Sequence, residues 1–268
     1  MQEFYFDNRI YYKKNTFIPG RKTIVFVHGV FGSSSAWIVY EEKFKDEYNI
    51  VSLDLRGHGK SKKLPKYGDY EMKKIAEDIE TLLDYLNIQT CIMVSHSLGT
   101  FVVLEFFALH SNKISGLIFL GSNYSVKHRI ASRLMYVLLW PVPLLDLFPF
   151  TEKKGVQVDY AKYPYKADFD IRRMYEDISN TFLRICLYCL RQLYAVDNEN
   201  VLEKIHVPVL IIHGKKDTVF PYKKAIEFSR KIKNSKLILV EKGNHLLLFN
   251  NTSEICEKIA EFVSTIKN

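Results

Sequence analysis

Cysteine is scarce in this chain. Four cysteines in 268 residues, at positions 91, 186, 189 and 256, are too few and too scattered for a disulfide framework in a protein of this size. They are expected to be reduced and packed. Cys186 and Cys189 form a C-x-x-C pair, but the pair lies in an apolar helical pattern and no second Cys/His pair follows at zinc-site spacing, so packing is expected rather than redox or metal chemistry. No long apolar run opens the chain. Met1-Gln2-Glu3-Phe4-Tyr5-Phe6-Asp7 places an acid early, which argues against a cleaved signal or a membrane anchor, and a cytoplasmic location is expected. The longest apolar stretch, residues 134–150, contains Pro141, Pro143, Asp146 and Pro149 and falls short of the roughly 20 residues a spanning helix needs. It reads as part of a lid.

A concentrated basic patch is also missing. Of the net charge of +8, only +2 falls within residues 122–200, where eleven Lys/Arg stand against nine Asp/Glu. Nucleic-acid binding needs basic residues gathered on one element, so no nucleic-acid partner is expected. Solvated surface, with weak attraction to anionic lipid or acidic substrates, accounts for the charge. There is no internal repeat and no low-complexity linker.

What the chain has is an apolar content of 47%, which at this length buries roughly 70–75% of the unfolded surface. Residues 4–6 and 9–12 flank Asp7-Asn8, a pair that tolerates positive φ and suits a hairpin turn. Short β-branched or apolar runs follow at 23–27, 48–53, 91–94, 114–120, 207–212 and 236–240, as buried parallel strands require. Met72, Ile75, Ile79, Leu82, Leu83 and Leu86 recur at steps of three and four, which predicts an amphipathic helix over 70–87. Further helices are predicted after Ser97 through residue 110, near 225–231 and over 253–266. This order specifies an α/β fold, a mostly parallel sheet with helices on both faces. Residues 122–200 break the rhythm with several helices and no strand. The expected organisation is a core of 1–121 and 201–268 with a helical cap, 122–200, inserted in it.

Ser97 lies in Ser95-His96-Ser97-Leu98-Gly99, where a strand turns directly into a helix and small residues on either side permit a sharp bend. A serine before a helix is often only an N-cap. Here, however, Asp217 follows the strand 209–212 and His245 follows the strand 236–240, and side chains just past strand carboxyl ends can meet. A serine hydroxyl needs a neutral histidine to take its proton, and the histidine needs a carboxylate to hold its tautomer. Ser97 as nucleophile, His245 as general base and Asp217 as its orienting partner form the expected catalytic set.

The chain resembles the α/β-hydrolase superfamily from about residue 4 to 266, in its nucleophile elbow and in the chain order Ser, Asp, His. Val27-His28-Gly29-Val30-Phe31-Gly32 resembles the family's His-Gly loop, and Asp54-Leu55-Arg56-Gly57-His58-Gly59-Lys60-Ser61 resembles its Asp-x-Arg-Gly-x-Gly-x-Ser loop. The resemblance implies an eight-stranded sheet, no cofactor or metal, and oxyanion N–H donors at Val30 and Leu98. It assigns His28 to bracing the oxyanion loop and His58 to shaping a turn. Ser95 and Thr100 stand where the commonest pattern has glycine. A serine nucleophile argues against the dehalogenases and epoxide hydrolases of this fold, which use aspartate.

The resemblance points to a carboxylesterase or monoacylglycerol-lipase-like enzyme whose substrate is a small-molecule ester with a small to medium apolar acyl group. Two alternatives stay open: hydrolysis of carbon–carbon bonds in dienoic diketones, and a ligand-binding relative without turnover. Leu134, Met135, Val137, Leu138, Leu139 and Trp140 give the cap excess apolar surface, for packing, for an acyl pocket or for transient contact with lipid through Trp140 and Phe148. Ile178, Phe182, Ile185, Cys189 and Leu193 fall on one face of a single predicted helix and read as cap packing. Arg172-Arg173 reads as a solvated pair, or as a site for a phosphate or carboxylate on the substrate.

Overall fold

In the computed structural model, which describes residues 1–126, 130–163, 167–168 and 170–267, eight strands form one sheet in the order β1-β2-β4-β3-β5-β6-β7-β8. The strands are β1 (Gln2–Phe6), β2 (Ile10–Lys14), β3 (Thr23–Val27), β4 (Asn49–Leu53), β5 (Cys91–His96), β6 (Ile114–Leu120), β7 (Val209–Gly214) and β8 (Ser235–Val240). β1 and β2 form the predicted hairpin, with Asp7 and Asn8 at φ of 50° and 51°. β2 joins β4 antiparallel, and every pairing from β4 to β8 is parallel. The fold is that of an α/β hydrolase.

The central strands are buried on both faces because their side chains alternate between two cores. Val25 and Val27 of β3 join Met93, Leu117, Phe119 and Ile211 on one side. Ile24 and Phe26 join Ile92, Val94, Ile118 and Ile212 on the other. The main helices are α1 (Ile38–Phe44), α2 (Met72–Tyr85), α3 (Leu98–His110), α4 (Ile130–Leu138), α5 (Ile171–Thr181), α6 (Leu183–Ala195), α8 (Tyr222–Arg230) and α10 (Thr252–Thr265), with the single turns α7 (Glu199–Leu202) and α9 (Leu247–Asn250) between them. α2, α3 and α8 cover the first face, and α1 and α10 the second. α3 is apolar on nearly every side and buried on nearly every side, as such a helix must be.

Helices α4, α5 and α6 lie between β6 and β7, and no strand occurs there among the described residues. The chain leaves and re-enters the core side by side, through an antiparallel bridge between Ser125 and Asp197. One expectation fails here. The face running from Ile178 to Leu193 is split between two helices, because Phe182 adopts φ of 73° and separates α5 from α6. Its ring sits 6.1 Å from Phe150 and packs on the core. Cys186 and Cys189, both on α6, are buried, and burial pushes the Cys189 thiol up to about 12.

Gly99 sets how closely α3 can approach the sheet. A Cβ there would come within 2.6 Å of the His28 carbonyl oxygen and 2.7 Å of that of Val27. Gly99→Ala gains about 1 kcal/mol of helix propensity but must push backbone apart, at a cost of about 1–3 kcal/mol. The expected outcome is a lowered urea midpoint at unchanged m-value; an unchanged or raised midpoint would show that this contact relaxes freely.

Candidate active site

β5 ends at His96, and Ser97 takes φ of 51° and ψ of −118° before α3 begins at Leu98. A non-glycine residue in this region is strained, and the strain lifts the side chain clear of both strand and helix. Below the bend, Ser95 and Thr100 fill the positions where glycine is common. Their hydroxyls lie 3.1 Å apart, and Thr100 continues to the Ser122 hydroxyl at 2.6 Å, so the extra polar atoms are satisfied by one another.

His245 follows β8 and Asp217 follows β7. His245 Nε2 lies 3.1 Å from Ser97 Oγ, and its Nδ1 lies 2.9 Å from Asp217 Oδ2. Because an ionised carboxylate only accepts, Nδ1 carries the proton and Nε2 is left bare toward the serine. Asp217 is oriented by the backbone N–H groups of Val219 and Phe220, which donate to Oδ1 at 2.8 and 2.7 Å. All three side chains are buried. The structure thus brings Ser97, Asp217 and His245 together in a hydrogen-bonded series.

Val30, in the loop after β3, lines the same cavity as Ser97 and His245, and Leu98 opens the helix behind the serine. The loop is held tightly against the elbow, since a Cβ on Gly29 would stand 3.2 Å from Ser97 Cβ. His28 receives the Leu55 N–H at Nε2 over 2.9 Å, while its Nδ1 faces the Gly29 carbonyl at 2.7 Å. It therefore ties the loop after β3 to the loop after β4. Burial holds its titration down at about 4, and burial together with the nearby His28 holds that of His58 at about 3. His58 lies against the Arg56 carbonyl, inside its turn.

One residue of this site has no counterpart in the sequence reading. Asp168, from the segment before α5, accepts the backbone N–H of His245 on one oxygen and both the N–H and hydroxyl of Thr218, at 2.8 and 2.6 Å, on the other. It ties the loops carrying His245 and Asp217 to each other and to the helices above. Its sequence neighbours give no signal of this, because its partners are 50 and 77 residues away.

The Arg172-Arg173 pair separates. Arg172 is exposed, while Arg173 turns into the cavity wall and donates to Asp177 at 2.8 Å. Asp177 also accepts the Tyr160 hydroxyl at 3.0 Å, and burial raises its titration to about 7 against the pull of Arg173. The cavity over Ser97 measures about 380 Å³ and is walled mainly by apolar side chains, Met135, Leu193, Val219 and Leu246 among them. Among the described residues, no three His, Cys, Asp or Glu side chains converge as metal ligands would.

The sequence pattern of the family described as alpha/beta hydrolase fold matches residues 22–252. The uncharacterized hydrolase YugF of Bacillus subtilis is 23% identical over 252 residues, spanning 91% of each chain. The AB hydrolase superfamily protein YisY, also of B. subtilis, is 23% identical over 90% of this chain and 91% of its own. Among solved structures, an esterase from Exiguobacterium antarcticum superposes with a TM-score of 0.75 at 20% identity, covering 96% of both chains. MGS-M2, an alpha/beta hydrolase enzyme from a deep-sea metagenome library, superposes at 0.77 with 17% identity over 100% of this chain and 98% of its own.

Two outcomes are expected from this geometry. Asp168→Ala frees three donors and loosens the His245 loop, which should slow labelling by a fluorophosphonate by up to about 100-fold, whereas Asp168→Asn, which keeps one acceptor oxygen but turns an NH2 toward the remaining donors, should fall between Asp168→Ala and the wild type. Equal labelling of all three proteins would remove Asp168 from the positioning of the site. The second outcome concerns pH. The unfolded chain protonates His28 and His58 near the usual 6.5 while the native state resists until about 4 and 3. Their burial is therefore tolerated above pH 6.5 and opposes folding as pH falls below it, by up to about 1.4 kcal/mol per pH unit for each histidine. Imidazole NMR signals of His28 and His58 should show both rings still neutral in the native protein at pH 5, and rings protonated there would remove this contribution.

Proposed function

The chain belongs to the alpha/beta hydrolase family, and within it we propose a serine-dependent carboxylic-ester hydrolase that takes small to medium apolar acyl esters through an acyl-enzyme on Ser97. The observation that carries this reading is the unbroken hydrogen-bonded series from Asp217 through His245 to Ser97 at the floor of an apolar cavity. In this reading His245 Nε2 takes the Ser97 proton as Oγ attacks the ester carbonyl. Asp217 stabilises the imidazolium.

The resulting oxyanion is stabilised by the backbone N–H groups of Val30 and Leu98, each worth about 3–4 kcal/mol if it behaves like measured donors of this kind. The dipole of α3, whose first residue is Leu98, adds to this field. Collapse expels the alcohol, which takes the proton from His245. A water, deprotonated by the same nitrogen, then attacks the acyl carbon and releases the acid, returning the proton to Ser97. Helices α4 to α6 act as a cap, with Met135, Leu190 and Leu193 forming an acyl-binding wall.

The test is hydrolysis of p-nitrophenyl esters from acetate to palmitate by the wild type, Ser97→Ala and His245→Ala. Either substitution should lower kcat by up to about a millionfold, on the precedent of subtilisin. Activity that survives Ser97→Ala would overturn the nucleophile. A wild type that turns over no ester in the series would overturn the esterase reading.

A further inference from the structure

Helix α4 is apolar over most of its surface, and of its residues only Ser132 is buried. Ala131 and Met135 line the cavity over Ser97, while Ile130, Leu134, Val137 and Leu138 face solvent, with exposures of 86%, 58%, 60% and 60%. The outer apolar surface continues through Trp140, Leu144, Leu147 and Phe148, all exposed. Over residues Ile130–Leu147 the mean hydropathy is 1.4, yet only 17% of the segment is buried. A solvent-facing helix ordinarily carries charge on that side, and a contiguous apolar face of this kind marks a docking surface.

Geometry and charge select its occupant. α4 has nine residues and rises about 14 Å. The chain then turns at Leu139 and Trp140 and runs through Pro141 and Pro143 into a 3-10 segment, Val142–Leu147, so no single helix spans the roughly 30 Å of a hydrocarbon core. Such an element lies along a membrane surface rather than across it. Within Ile130–Leu147 the only charged residues are Arg133 and Asp146, and the Asp146 carboxylate is engaged by the Tyr188 hydroxyl and the Tyr67 N–H. The sequence on either side is basic, with Lys127 and Arg129 before it and the exposed Lys153 and Lys154 after it. Glu152, the acid beside them, accepts the Lys63 N–H. An apolar face whose flanking sequence carries net positive charge repels a second copy of itself and attracts anionic headgroups.

We propose that this face, formed by α4 and the turn through Phe148, docks reversibly on an anionic lipid bilayer. Docking places the cavity one helix diameter from the membrane, so an apolar ligand enters past α4 without crossing water. The proposal goes beyond the hydrolase reading and does not rest on it, since binding is measured without turnover.

The experiment is co-sedimentation of the full chain with vesicles of phosphatidylcholine, with and without phosphatidylglycerol, together with tryptophan emission. The chain has two tryptophans; Trp37 is fully buried, so a change in emission reports on Trp140, which is 65% exposed. The expected result is pelleting with the mixed vesicles, accompanied by a blue shift that Trp140→Phe removes. Leu134→Glu/Leu138→Glu should lower partitioning on the order of 100-fold or more, and Lys153→Glu/Lys154→Glu about 10-fold or more, both with wild-type thermal unfolding transitions. Absence of pelleting with the mixed vesicles, pelleting that the leucine substitutions leave unchanged, or equal pelleting without phosphatidylglycerol overturns the assignment. So does a wild-type dimer in buffer that the leucine substitutions dissociate and that does not bind lipid, which would give the face to a second copy.

Discussion

The close approach of α3 to β3 is the contact on which the site depends. It requires Gly99, because any side chain there meets the Val27 and His28 carbonyls. It also forces the turn between β5 and α3 to be made by one residue, Ser97, in a left-handed conformation. The strain at Ser97 persists because the strands on either side and a fully buried helix over-determine it. The same closeness presses the His28-Gly29 loop onto the serine. The bend at Ser97, the helix terminus and the facing loop thus share one packing distance.

Electrostatics follows from burial. His28, His58, His96 and His213 all lie in the interior near the site, and desolvation lowers the titration of each, so they serve as neutral hydrogen-bonding struts. His96 Nε2 faces the His245 carbonyl at 2.9 Å, and His213 Nε2 faces that of Phe220 at 2.8 Å. Two carboxylates remain close to His245. Asp217 meets its ring, and Asp168 meets its backbone, with Thr218 taking the other oxygen. One acid sets the tautomer and the other fixes the loop.

Much of this was legible in the sequence because it is local. Strand runs ending in small residues locate Ser97, Asp217 and His245, and the continuous apolar runs such as 23–27 mark strands buried on both faces of the sheet. Helix bounds shifted by a few residues, as when 225–231 became Tyr222–Arg230. What was illegible is non-local. The break at Phe182 brings its ring beside Phe150, the inward turn of Arg173 meets Asp177, and the role of Asp168 depends on groups of two distant loops. No periodicity or spacing encodes such meetings, which arise only once the helices between β6 and β7 are laid over the sheet.

The bridge between Ser125 and Asp197 gives that helical segment an unusual modularity. Its two ends meet at one point on the rim of the sheet, so its length and content can change without disturbing any strand register below. Exchange is nevertheless constrained, because the segment contributes Asp168 to the loops that hold His245 and Asp217. A replacement taken from another protein must supply an acceptor at the same place, or the helices would be exchanged at the expense of the loops beneath them.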